Sequence, residues 1–231
     1  MPFLFDPLYL VFALPGLLLA LWAQFKVRST FARYAQVPTS RGVNGLDTAK
    51  LLIRHNGLGH VGIQGTPGEL TDHYDPRNKS IYLSDSSVQN SVASVAVVAH
   101  ELGHAEQDAQ GYTPLKLRGA IVPAVTVGSW VGPVLFMIGL LFQSTQLAWI
   151  GVIAFALTAV FALVTLPVEF DASRRALRML QSSHILVGEE LNSAKKVLDA
   201  AALTYVAAAT QSILTLLYYV TLLTGMRRSE D

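Results

Sequence analysis

The chain has 231 residues, of which 52% are hydrophobic and 14% charged, against about 25% charged in an ordinary soluble protein. That balance, with a formal net charge of +1, excludes a disordered chain and a nucleic-acid-binding one. The absence of cysteine excludes disulfides, thiolate metal sites and a Cys nucleophile, and is compatible with a reducing compartment.

The charges are unevenly placed along the chain. Asp6 is the only one before Lys26, and none occurs from Gly119 through Val168 or from Ala200 through Met226. A bilayer core about 30 Å thick needs roughly 20 apolar residues of helix. Leu8–Phe25 is the first candidate span, with Pro15 and Gly16 inside it. Met1–Asp6 has no Lys or Arg, so the segment reads as a retained anchor and not as a cleaved signal peptide.

Lys26–Arg118 reads as a soluble region. Leu46–His55 has helical spacing and ends at Asn56-Gly57, a helix stop. Val61–Gln64 and Ile81–Leu83 alternate as short strands, separated by turn chemistry at Gly65–Gly68 and Asp75–Asn78. Asn90 or Ser91 can cap a helix over Ser91–Ala109, with Gly111 and Pro114 beyond its end.

Ala120–Phe142 and Leu147–Leu166 are two further spans, joined by the polar turn Gln143–Gln146. A soluble helix is expected from Glu169 to Leu180, and another over Glu189–Asp199 that feeds the last span, Ala201–Leu223. The hairpin Ala120–Leu166 leaves and returns, so Lys26–Arg118 and Glu169–Asp199 share one side. Every Lys and Arg except Arg227 and Arg228 lies in those two segments. The positive-inside rule puts that side in the cytoplasm. The expected fold is α+β, mainly α, with four transmembrane helices and a small cytoplasmic body.

His100-Glu101-Leu102-Gly103-His104 is H-E-x-x-H, inside a segment independently expected to be one helix. Positions i and i+4 share a helix face, so both imidazoles can address one ion. The intervening Glu101 can then reach a water in the ion's open position and take its proton. A third protein ligand is needed. Gln110 stands where the metzincin pattern requires a third His, which excludes that class. Glu169, Asp171, His184 and His73 remain, and Glu169, at the mouth of the third span after Pro167, is the best placed. Its alternative role is a charge near a helix N-terminus. Asp171 is expected to orient a ligand histidine through its ring N–H, or else to pair with Arg174 or Arg175. His73 and Tyr74 can donate to the oxyanion of a tetrahedral intermediate, or sit in a solvated turn. His55 and His60 are expected at the surface. Arg174, Arg175 and Arg178 form a headgroup-facing or solvated stripe. The loop Gly65–Pro76 is the expected lid.

At these residues the chain resembles the YugP-like family of neutral zinc metallopeptidases of bacterial membranes. The resemblance covers LTDHYDPRN from Leu70, HELGHAEQ from His100, Gly111-Tyr112, PLKLR from Pro114, LPVEFDASRRAL from Leu166 and AKKVLDAAALTYVAAAT from Ala194. It implies gluzincin-like ligation of one Zn²⁺ by His100, His104 and Glu169, with Glu101 as general base. Glu106 departs from the apolar residue expected there. The resemblance also implies protein or peptide substrates, a bilayer setting in the bacterial inner membrane, and hydrolysis at a cytoplasm-facing site. The rival functions are an intramembrane protease and a non-catalytic metal-binding adaptor.

Overall fold

The computed structural model describes residues 7–228, which divide into two compact units. One comprises the described residues up to Ala23, with Leu117–Leu166 and those from Thr204 onward; the other comprises Gln24–Lys116 and Pro167–Leu203. Helices α1 (Pro7–Ala35), α4 (Thr113–Leu141), α5 (Thr145–Ser182) and α6 (Glu189–Arg228) are each long and apolar enough to cross a membrane.

Close backbone approach holds the first unit together. A Cβ on Gly139 would stand 2.4 Å from the Ala148 amide nitrogen, and one on Gly132 would stand 2.7 Å from that of Phe155. Small residues at such positions let the backbones of α4 and α5 approach closely as an antiparallel hairpin. Phe136 stacks on Tyr219 with centroids 4.0 Å apart, tying α4 to α6, and Tyr9 meets Tyr218 edge-on at 5.3 Å, tying α1 to α6. Trp130, Leu141 and Ile153 face outward.

The second unit is built around α3 (Val92–Ala109). Ser91 caps it, its hydroxyl accepting from the Ser94 amide at 3.1 Å, as the N-cap geometry requires. Helix α2 (Gly45–His55) is capped by Asn44 and ends at Asn56, before the positive-φ Gly57. A three-stranded sheet of β1 (Gly62–Gly65), β2 (His73–Asp75) and β3 (Ser80–Leu83) has the order β1-β3-β2. Strand β1 runs parallel to β3 and β2 antiparallel, with Tyr74 opposite Ile81. Helix α2 and strands β2 and β3 pack on α3, and Leu52, Ile81, Leu102, Met179, Leu180 and Leu186 fill the core.

Three elements differ from the sequence expectation. Strand β2 lies inside Gly65–Pro76, expected as one loop. Its neighbour Asp72 is held by the Ser84 amide at 2.8 Å and by the Ser84 and Ser87 hydroxyls at 2.7 Å. Helix α4 starts at Thr113 and absorbs Pro114, a residue suited to a helix's first turn. Helix α5 continues through Pro167 without a break. Proline removes one intrahelical bond, which a long helix packed along its length tolerates. Glu169 therefore lies in a helix interior and not at an N-terminus.

Candidate metal centre

His100 and His104 stand one turn apart on α3, with rings edge-on and centroids 4.8 Å apart. From α5, Glu169 Oε2 reaches His100 Nε2 at 3.2 Å and His104 Nε2 at 3.5 Å. One ligand atom from each of the three residues falls within 4.8 Å of the others, so the group can hold a metal ion. Tetrahedral zinc with bonds of about 2.0–2.1 Å needs donor atoms about 3.3–3.4 Å apart. The two His–Glu separations match that spacing, and two imidazoles with one carboxylate are donors zinc accepts.

The local backbone makes this possible. Gly103, between the two histidines, faces Ala172 of α5 so closely that a Cβ there would stand 2.4 Å from the Ala172 carbonyl oxygen. Any larger residue would hold the helices apart and carry Glu169 away from the imidazoles.

Glu169 is 2% exposed. Burial alone would push its carboxyl up, but hydrogen bonds from His100 and His104, and their charge, hold it well below the usual carboxylate range. Burial works against a charged His104, yet the bond to Glu169 and the charges of Glu101 and Glu169 raise its pKa above the usual imidazole value. Glu169 is thus held as an ionised carboxylate between the two imidazoles.

Glu101 is 8% exposed, and among the described residues its carboxylate has no hydrogen-bond or ion-pair partner. Each histidine has a second contact through Nδ1. His100 Nδ1 lies 3.2 Å from Ser173 Oγ, and His104 Nδ1 lies 3.0 Å from Gln107 Oε1. Asp171 touches neither histidine. It accepts from Gln107 Nε2 at 3.0 Å, from Arg175 Nε at 2.5 Å and from Arg174 at 3.2 Å. Burial raises the Asp171 carboxyl, and the bonds from Arg175 and Gln107 outweigh it and lower it.

Of the three arginines expected as a solvated stripe, Arg174 and Arg178 are exposed, whereas Arg175 is largely covered between the helices. Arg178 clasps Glu106 at 2.6 and 2.7 Å, and Arg175 binds Gln110 Oε1 at 2.6 Å. The buried Glu106 thereby finds its counter-charge on α5.

His73 and Tyr74 do not join the group of three. His73 is exposed, stacks on Tyr82 with centroids 4.7 Å apart, and places Nδ1 2.9 Å from the Thr71 carbonyl. Tyr74 donates to Asp108 Oδ2 at 2.5 Å, on the helix turn after His104, and Lys79 binds the same oxygen at 2.5 Å. Burial and the Asp108 contact push the Tyr74 phenol well above its ordinary value, so it stays a neutral donor. His184 is exposed, with Nδ1 3.0 Å from the Gln181 carbonyl. His55 and His60 are at the surface as expected.

The sequence reasoning missed Gln107 and Ser173. Both carried a spacing signal: Gln107 is three residues past His104, and Ser173 is four past Glu169, so each shares a helix face with a ligand candidate.

Comparison with known proteins agrees with this geometry. A family model described as "Putative neutral zinc metallopeptidase" matches residues 9–224. The "Putative membrane protease YugP" of Bacillus subtilis (strain 168) is 42% identical over 214 residues, covering 92% of this chain and 95% of that protein. No solved structure matches.

Proposed function

This chain belongs to the neutral zinc metallopeptidase family, and from that premise we propose that it is a membrane-embedded zinc endopeptidase with a cytoplasm-facing site. The observation that carries the reading is the convergence of His100, His104 and Glu169 within 4.8 Å, beside an uncommitted Glu101. His100, His104 and Glu169 would hold the ion. Bound zinc supplies Lewis acidity and lowers the pKa of its water toward about 7.

The chain's own residues do the rest. Glu101 accepts the proton of the attacking water and passes it to the leaving amine, so the carboxylate is regenerated at the end of each turnover. Glu169, held ionised, keeps a negative charge where the cation belongs. Tyr74 on β2, which faces α3 through Asp108, is the donor we assign to the tetrahedral oxyanion, and it exchanges its Asp108 contact for the substrate to do so. His73, stacked on Tyr82, is given no part in it. Because Glu101, His104 and Glu169 are nearly covered, the substrate is an extended peptide segment and not a folded surface. The bacterial inner membrane is the assigned location. The basic residues concentrated in Lys26–Arg118 and Glu169–Asp199 support a cytoplasmic site.

The test is zinc content on purified protein together with hydrolysis of unfolded casein, with and without chelator. One zinc per chain and chelator-sensitive cleavage are the expected result. Bound zinc without any hydrolysis would replace the peptidase by a metal-binding adaptor.

A further inference from the structure

Gln107 is fully buried and uses both ends of its carboxamide. Oε1 lies 3.0 Å from His104 Nδ1, while Nε2 lies 2.8 Å from the Val168 carbonyl oxygen and 3.0 Å from Asp171 Oδ2. The orientation of this amide follows from chemistry, independent of how its oxygen and nitrogen are assigned. A backbone carbonyl is an acceptor only. Asp171 bound to the Arg175 and Arg174 guanidiniums is an acceptor only as well. The NH₂ group must therefore face both of them, which leaves Oε1 to face the imidazole. An amide oxygen cannot donate, so His104 Nδ1 must carry a proton. Neutral His104 then presents the lone pair of Nε2 toward Glu169. His100 is under no such constraint, because the Ser173 hydroxyl at 3.2 Å can donate or accept.

We propose that Gln107 is a positioning residue that fixes His104 as its Nδ1–H tautomer for metal binding, and that Asp171 acts on the metal site only through it. The chain of bonds runs Arg175 to Asp171 to Gln107 to His104, each donor facing one acceptor. It crosses from α5 to α3 and back toward Glu169, so the two helices that supply the ligands are locked by the same bonds that orient one of them. The inference rests on the metal-site reading above and names the residues that hold that site in order.

Isosteric substitutions test it, because they alter hydrogen-bond polarity without altering packing. Zinc affinity is measured on purified full-length protein in detergent by competition with a chromophoric chelator. Gln107→Glu sets a carboxylate against both the Asp171 carboxylate and the Val168 carbonyl oxygen, and Asp171→Asn places an amide NH₂ against either Gln107 or Arg175. Each single variant is expected to weaken zinc binding about 10–100-fold. The double variant restores the donor order between the two helices. Its amide at position 171 can donate to the carboxylate at position 107 and still accept from Arg175, so part of the affinity should return, although the carboxylate at position 107 still faces the Val168 carbonyl oxygen. Affinities are compared at a temperature where all four chelator-treated proteins are fully folded, so that a weaker zinc affinity reports on the site and not on lost fold. Additive losses in the double variant, or single variants with wild-type affinity, would overturn the inference while leaving the metal site intact. A wild-type chain that binds no zinc would instead overturn the metal-site reading, and this inference with it.

Discussion

Gly103 and Ala172 are in backbone contact: a Cβ on Gly103 would meet the Ala172 carbonyl oxygen at 2.4 Å and its carbonyl carbon at 3.0 Å. This approach sets how near α3 and α5 can come at the level of the metal ligands. Glu169 lies one turn before Ala172, and Gly103 sits between the paired histidines, so the contact positions all three ligand candidates together.

Gly103→Ala should therefore damage the site without touching a ligand. The facing atoms are rigid backbone and cannot swing aside, so the helices must separate. Overpacking of this kind costs about 1–3 kcal/mol. The expected outcome is a lower melting temperature and a loss of bound zinc, read by thermal unfolding and metal analysis. Wild-type zinc content in the variant would show that helix separation at this point does not set the site.

The Tyr74–Asp108–Lys79 contact fastens β2 and the β2–β3 turn to the end of α3 and predicts a pH dependence. Burial opposes the ionised form of Asp108, and the bonds from Lys79 and Tyr74 outweigh it, so its carboxyl lies below the usual Asp value. A depressed folded-state pKa contributes stability that is fully present above the unfolded value, about 3.9, and is lost as pH falls through the folded value. Asp108→Asn should melt below the wild type at neutral pH, and the gap should narrow as pH falls below about 4. Thermal unfolding of both chelator-treated proteins across that range makes the comparison. A gap that stays constant would mean that Asp108 contributes by its shape and not by its charge.

The antiparallel packing of α4 on α5 predicts topology. Reporters fused after Arg118 and after Asp199 should both read cytoplasmic, and one inserted at Gln143–Gln146 should read external. Opposite readings for the first two would be incompatible with a site made from His100 and Glu169 together.

Much of this arrangement was legible in the sequence where one local rule dominates. The 3.6-residue period places His100 and His104 on one face, and Ser91 announces the helix that carries them. The charge-free stretch from Gly119 through Val168 marks the hairpin. Strand β2 was not legible, because His73-Tyr74-Asp75 has no apolar alternation and becomes a strand only by pairing with β3. The roles of Gln107, Ser173, Glu106 and Arg178 depend on the register between α3 and α5. That register is set by the Gly103–Ala172 contact, which no single segment encodes. Pro167 suggested a helix start at Glu169, but packing carried α5 through it. The sequence marks Asp171 as near the site; only the structure shows that its path to His104 passes through Gln107.

The most direct test of the central claim compares Glu101→Gln with Glu169→Gln for zinc content and peptide hydrolysis in the same purified preparations. If Glu169 closes the coordination sphere, its amide variant loses a charged ligand, so zinc and activity should fall together. Glu101→Gln should keep its zinc and lose activity, by at least the ~10²–10⁴-fold that general-base catalysis contributes. Zinc retained in full by Glu169→Gln would show that another residue is the third ligand. An active Glu101→Gln would contradict the hydrolytic mechanism itself.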